Sequence, residues 1–286
     1  MNYSSKSGYF YRSMSLYISS LNSGSNGNCY YVGNENEAIL VDAGLTCSET
    51  EKRLLRLGLP VSKIKAVFIS HEHTDHIKGV TVLAKKYQLP VYITPGTLIS
   101  SKLKIDDHLI RPLKAYQEIC VGRLCITAFP KIHDASDPHS FMISCDDIRV
   151  GVFTDIGDVC EALTLHFSQC HAAFLESNFD DTLLENGRYP YFLKNRIRGG
   201  KGHLSNIKAL DLFRLKKPVY MSHLFLSHLS KDNNCPDLVN RLFNGYATGT
   251  EIIVASRDHE TAVYHIGNKK QINSQIASSY YQTSLF

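Results

Sequence analysis

The chain has 286 residues, 43% of them hydrophobic and 20% charged, with a formal charge of +4 at neutral pH. That composition supports a sizeable core and excludes a low-complexity chain. No run of about 18 apolar residues occurs, which excludes a transmembrane helix, and so small a net charge does not by itself draw in a polyanion.

Residues 1–13 are polar with aromatic punctuation and lack the apolar stretch of a secretory signal. They are expected to be a flexible, dispensable extension, with Met14 either an internal residue or the true start. A single domain is expected over 14–268 and a polar tail over 269–286, in a soluble, cytoplasmic protein. The first strand is predicted at Leu16–Leu21, breaking at Asn22-Ser23-Gly24-Ser25-Asn26-Gly27. A second follows at Asn28–Val32 and a third at Ala38–Val41, running into Asp42-Ala43-Gly44. Thr46 or Ser48 caps a helix that Gly58 stops. Ala66-Val67-Phe68-Ile69 is a short, wholly apolar strand of the buried kind, and it leads straight to His71.

A helix is expected from His76 to Tyr87, a strand at Val91–Thr94, and successive strands through 109–153. A helix over 158–167, a strand at Ala172–Leu175 and helices near 178–187 and 203–215 come next. A strand at Val219–Ser222, a helix over 236–243 and a strand at Ile252–Ala255 complete the reading. A β-rich stretch followed by helix and strand thus occurs twice, which two face-to-face sheets with helices outside would satisfy. Eight cysteines (Cys29, Cys47, Cys120, Cys125, Cys145, Cys160, Cys170 and Cys235) are scattered without a CxxC pair, and all are expected to be free thiols.

His71-Glu72-His73-Thr74-Asp75-His76 packs three imidazoles and a carboxylate into six residues just after the buried strand. Imidazoles suit zinc, manganese or iron, and the carboxylate adds a harder donor. A turn points neighbouring side chains in different directions, so two divalent ions are expected, His71 and His73 on one and Asp75 and His76 on the other. A polar loop that happens to carry histidines is the bland alternative, and the HxHxDH spacing at a strand end argues against it.

At these residues the chain resembles the metallo-β-lactamase superfamily, an α/β fold in which two mixed sheets form an αββα sandwich. The resemblance implies further ligands: His133 for the first metal, Asp155 as the bridging carboxylate, and His228 as the last ligand of the second. His223 competes with His228, which is preferred because it lies in the loop beyond the strand expected at Val219–Ser222. His133-Asp134-Ala135-x-Asp137-Pro138, Leu175-Glu176-Ser177-Asn178, Gly202-His203-Leu204-Ser205-Asn206 and His228-Leu229-Ser230-Lys231-Asp232-Asn233-Asn234 narrow the resemblance to the YycJ/WalJ family. So do Tyr189-Pro190 with its following basic residues and Ser23-Gly24-Ser25-Asn26-Gly27-Asn28-Cys29, which extends coverage to nearly the whole folded chain. Resemblance to that family implies a DNA exonuclease related to RNA-cleaving phosphodiesterases. His139-Ser140-Phe141 departs from the smaller, Gly-containing stretch expected there, so His139 is a candidate to enter the site.

Two ions sharing a hydroxide have a nucleophile at neutral pH without a separate strong base, and stabilise both oxygens of an in-line displacement. Cleavage is expected to depend on Asp75. His203 is either the proton donor to the leaving oxygen or a phosphate contact, against a plain capping role. Lys194, Arg196, Arg198 and Lys201 are expected to contact nucleic-acid phosphates, the last three from a Gly-rich loop. Ser25 and Asn28 are candidate phosphate contacts or simple turn residues. Tyr189 and Tyr191 are candidates to stack on bases, though core packing is the commoner fate of such a run. DNA is the expected substrate ahead of RNA. A thioester, lactone or β-lactam hydrolase, and a non-catalytic nucleic-acid-binding protein, are the alternatives.

Overall fold

The structure, a computed structural model, describes residues 15–267. The expectations for residues 1–13, Met14 and the tail from 269 lie outside them. Strands β1 (Leu16–Asn22), β2 (Cys29–Gly33) and β3 (Ala38–Val41) form an antiparallel meander. Helix α1 (Cys47–Arg56) begins where Thr46 accepts a hydrogen bond from the Glu49 amide, and carries Glu49 in its first turn and Arg53 and Arg56 in its last. These charges complement the helix dipole. β4 (Ile64–Phe68) then runs parallel to β3. It is wholly apolar around Ala66-Val67-Phe68 because both of its faces are covered.

The helix expected over 76–87 is two pieces, α2 (Thr74–Ile77) and α3 (Val80–Tyr87). Gly79 separates them: its amide donates to the Ala43 carbonyl at 2.8 Å, and a Cβ there would lie 1.9 Å from the Leu45 carbonyl oxygen. Close backbone contact, which only glycine permits, outweighs helix continuity here. β5 (Val91–Ile93), α4 (Pro95–Ser101) and β6 (Ile110–Pro112) complete the first half.

The second half repeats the plan. β7 (Glu118–Val121), β8 (Leu124–Pro130), β9 (His139–Cys145) and β10 (Ile148–Phe153) pair antiparallel in sequence. Helix α5 (Glu161–Phe167) leads to β11 (Ala172–Glu176), followed by α6 (Asp181–Asn186), α7 (Tyr191–Arg198) and α8 (Asn206–Lys216). β12 (His223–Ser227), α9 (Pro236–Asn244) and β13 (Glu251–Val254) extend the parallel part, and β14 (Tyr264–Ile266) returns to pair with β1. The sheet orders are β14-β1-β2-β3-β4-β5-β6 and β13-β12-β11-β10-β9-β8-β7.

The two sheets face each other across a core built from Ile18, Tyr30, Val41 and Phe68 on one side and Ile126, Phe141, Val152 and Phe174 on the other. Tyr30 packs on Phe174 with centroids 4.9 Å apart, and Phe68 meets Phe141 edge-on at 5.9 Å. α1 and α3 cover the outer face of the first sheet, and α5, α8 and α9 that of the second. The expected αββα sandwich is what the chain forms. Among the described residues no helix is long and apolar enough to cross a membrane.

Three further sequence expectations need correction. The strand placed at Val219–Ser222 lies at His223–Ser227, because Leu224-Phe225-Leu226 is the run that fills the interior between β11 and β13, while Val219 is exposed. Residues 191–198 form helix α7, so Arg196 and Arg198 project from a helix and not from a glycine loop. Cys120 and Cys125 are joined in a disulfide and are not free thiols. The two-residue turn at Gly122-Arg123, with Gly122 at φ 60°, sets them directly opposite each other in the β7–β8 hairpin.

Candidate metal centre

The carboxyl ends of the strands bring the polar side chains to one edge of the sandwich. β4 delivers His71, and the single turn of α2 holds Asp75 and His76 on different sides, with His73 just ahead of it. A loop beyond β8 supplies His133, the residues after β10 supply Asp155, and His228 is the first residue past β12. The donor atoms form two groups. In the first, His73 Nδ1 lies 3.0 Å from His71 Nε2 and 3.3 Å from His133 Nε2. In the second, Asp75 Oδ2 lies 3.5 Å from both His76 Nε2 and His228 Nε2. Asp155 stands between them: Oδ2 is 3.0 Å from His76 Nε2, and Oδ1 is 3.8 Å from His133 Nε2 and 3.7 Å from His228 Nε2. Within each group the donor atoms lie inside 4.8 Å of one another.

The second nitrogen of each buried imidazole has its own partner. His76 Nδ1 meets Asp42 Oδ2 at 2.6 Å, and His71 Nδ1 meets the Ser70 hydroxyl at 2.8 Å, which in turn donates to Asp42. His133 Nδ1 faces the Gly202 carbonyl at 2.9 Å, and His228 Nδ1 faces Glu176 Oε1 at 3.1 Å. Each such contact places N–H on Nδ1 and leaves the Nε2 lone pair facing the cluster, the arrangement that carboxylate–histidine–metal couples use. Asp42, Asp155 and His228 all have left-handed backbone (φ 60°, 54° and 55°) just past the ends of β3, β10 and β12. That conformation costs roughly 1–2 kcal/mol per residue and is held by the packed strands around it.

The donor set fits divalent cations. Asp155 Oδ2 and His228 Nε2 are buried with no hydrogen-bond partner, and both belong to the cluster. Burial alone pulls the His228 imidazolium down, but the Asp155 charge, the neighbouring Asp75 carboxylate and the hydrogen bond with Glu176 raise its pKa to about 10. The carboxylates therefore demand positive charge, and a bound cation answers that demand. Burial keeps His71 neutral and lowers His133 to about 4, so both offer a free lone pair at neutral pH. Lys131, buried beside them, donates from Nζ to the Thr154 carbonyl at 2.7 Å and ties the end of β8 to the loop that carries Asp155.

Three functional side chains escaped the sequence reading. In the sequence Asp42 marks only the end of a strand, and Glu176 and Asn178 are only parts of a motif. Glu176 is fully buried, and its Oε1 also receives His203 Nδ1 at 2.8 Å, so one carboxylate orients two histidines. Its Oε2 accepts the amides of Ile156 and Leu204. Asn178 donates to the His228 carbonyl at 2.7 Å. The available signal was a polar residue directly after an apolar strand, the same signal that marks His71.

Of the outer candidates, His203 lines the metal cavity together with Ser25 and Arg196. Asn28 is fully buried and is not presented to the cavity: its amide donates to Asp75 Oδ2 at 3.0 Å and lies 3.0 Å from His76 Nε2. Arg196 reaches Asp134 at 2.6 Å on the cavity rim. Lys194 and Arg198 instead turn to Glu185, through its carbonyl and its carboxylate respectively. Lys201 is exposed in the loop beside Gly157. His223 sits at the opposite end of β12, bonded to the Ser222 hydroxyl, and is far from taking His228's place. His139 heads β9 with Nδ1 against the Asp137 carbonyl, 3.0 Å away, and does not line the cavity. Tyr189 donates to Asp232 at 2.8 Å, whereas Tyr191 is exposed and does not enter the core.

Residues 23–154 match the profile of the Metallo-beta-lactamase superfamily. Over 233 residues the chain is 34% identical to Exodeoxyribonuclease YycJ of Bacillus anthracis, which covers 79% of this chain and 86% of that one. It is 32% identical over 225 residues to Exodeoxyribonuclease WalJ of Streptococcus pneumoniae, covering 77% and 84%. Among solved structures, the metallo-β-lactamase fold protein YhfI of Bacillus subtilis superposes with a TM-score of 0.68 at 17% identity, over 88% of this chain and 99% of that one. With its two-sheet architecture and its strand-end histidines and aspartates, the chain belongs to the metallo-β-lactamase superfamily and, within it, to the YycJ/WalJ-like proteins.

Proposed function

We propose that the chain is a two-metal phosphodiesterase that degrades DNA from an end. The observation that carries this reading is Asp155, whose carboxylate stands within 4 Å of donors of both groups, with Oδ1 near His133 and His228 and Oδ2 near His76. His71, His73 and His133 would hold one divalent ion, Asp75, His76 and His228 the other, and Asp155 would serve both. Zinc, manganese and iron all suit this mixed nitrogen and oxygen set. Ions bound there supply Lewis-acid stabilisation of a phosphoryl oxygen and lower the pKa of water.

The chain's own residues provide the rest. Glu176 fixes His203 through Nδ1, so Nε2 is the atom that would hold a proton and pass it to the leaving 3′ oxygen. Arg196 stands on the rim, where a backbone phosphate would compete with Asp134 for its guanidinium. Asn28 and Asn178 keep Asp75 and His228 in place. Nucleic acid as the substrate class is supported by the two relatives, and their names favour DNA.

The deciding assay uses duplex DNA labelled at one end or the other, with Mn²⁺, Zn²⁺ or chelator, and compares the wild type with Asp75→Ala. Metal-dependent release of mononucleotides by the wild type alone is expected, and the label released first reports the direction. Turnover of RNA or of a small ester, with DNA left intact under every metal, would overturn the substrate assignment.

A further inference from the structure

We infer that a second cavity, on the β13 side of the metal centre, binds the phosphate-bearing terminal nucleotide of the strand; this rests on the nuclease reading above. The cavity measures about 300 Å³, a size that suits a small organic ligand. Leu229 and Ser230, the two residues after His228, line both this cavity and the groove that adjoins the metal cavity at His203, His228 and Arg196. Its far side is the chain just past β13. Leu229, Pro236, Val254 and Ala255 give it apolar walls against which a base can lie.

Arg257 supplies the charge. It lines this cavity, and its Nη1 is buried with no hydrogen-bond partner. The other arginines around the site behave differently: Arg196 pairs with Asp134, Arg198 with Glu185 and Arg53 with Glu49. A guanidinium hydrogen withheld from water and given no acceptor carries a desolvation cost, which a phosphate oxygen would remove once the head group turns toward the cavity. Lys231 is exposed at the rim, so two cations face the cavity against one carboxylate, Asp258. The main chain there is already anchored. Asn26 donates to the Arg257 carbonyl at 2.7 Å, Arg53 to the Asp258 carbonyl at 3.1 Å, and the Ser256 hydroxyl accepts from the Asp258 amide at 3.0 Å. The arginine backbone is thus fixed while Nη1 of its head group lacks a hydrogen-bond partner, as befits a preorganised anion contact. Such a subsite holds a chain end next to the metals, which is what distinguishes attack at an end from attack within a strand.

The test is calorimetric titration of the full chain with deoxyadenosine 5′-monophosphate, deoxyadenosine and inorganic phosphate, in metal-loaded protein and again with chelator. The monophosphate should bind in both states, and loss of either its base or its phosphate should weaken it by roughly tenfold or more. Arg257→Gln should weaken the monophosphate by a similar factor in both states. Lys231→Gln, at an exposed position that cannot disturb folding through a buried contact, should do so by a few fold. Equal affinity of wild type and a folded Arg257→Gln would overturn the proposal. So would binding that vanishes with chelator, or inorganic phosphate binding as tightly as the nucleotide. Binding retained in a wild type that cleaves no DNA would sustain the cavity and sink the nuclease reading, so the two failures are separable.

Discussion

The Nδ1 of His203 lies 2.8 Å from Oε1 of Glu176, a carboxylate with no solvent exposure that also receives His228. Burial pushes the Glu176 carboxyl up, but the neighbouring His203 charge and its hydrogen bonds with both histidines hold it below the usual range. Replacing it with Gln keeps the shape and removes the charge. The amide must then present an N–H to one of the donors now facing Oε1 or Oε2. Loss of an outer partner of this kind typically costs about 10–100-fold in metal affinity or activity. Glu176→Gln is expected to fall in that range by competition with a chromophoric chelator and by DNA cleavage, with far-UV circular dichroism unchanged. Wild-type metal affinity in the variant would remove Glu176 from the centre.

Gly44 separates β3 from α1 and passes directly beneath the metal loop. A Cβ on it would lie 1.6 Å from the Asp75 carbonyl oxygen and 2.6 Å from the Asn28 amide nitrogen. Both neighbours are backbone, and they are bonded to each other at 2.7 Å, so neither can yield without opening the HxHxDH turn. Gly44→Ala is expected to destabilise the fold by about 1–3 kcal/mol or more, the usual range for overpacking. Thermal unfolding checks this, and an unchanged Tm would show that the turn is looser than its geometry.

The basic residues of α7 divide by face. Arg196 points to the cavity with Asp134, while Arg198 is held by Glu185 on the other side. If Arg196 meets a phosphate, Arg196→Ala should raise KM for DNA and flatten its logarithmic salt dependence by about one unit. Arg198→Ala should leave both nearly unchanged. KM measured across a salt series decides it, and equal effects from the two would point to a diffuse field instead of a defined contact.

The Cys120–Cys125 bridge closes a loop of few residues in a hairpin at the edge of the second sheet, outside the candidate metal centre. Chain-entropy reasoning limits its contribution to about 2 kcal/mol for so short a loop. Replacing both with Ser should lower Tm by an amount within that limit and leave metal-dependent cleavage intact. Loss of cleavage in a folded double variant would tie this edge to the centre.

Local chemistry carried much of this protein in the open. A buried apolar strand followed at once by HxHxDH places a metal site at a strand end, since the strand's covered faces and the abrupt change to polar residues are both written in consecutive residues. The doubled order of β-rich stretch, helix and strand likewise spelled out two sheets with outer helices. Tertiary structure alone decided the rest. Asp42, Glu176 and Lys131 are single polar residues at strand ends, indistinguishable in one dimension from turn residues, and they matter because separate strands end at the same edge. The sequence leaves Asn28 as a phosphate contact or a turn residue, and it lies behind Asp75 because the turn after β1 folds over the metal loop. The strand expected at Val219–Ser222 falls four residues before β12 because Val219-Tyr220-Met221 is itself a short apolar run. Only burial between two parallel neighbours selects Leu224-Phe225-Leu226, and with them the position of His228.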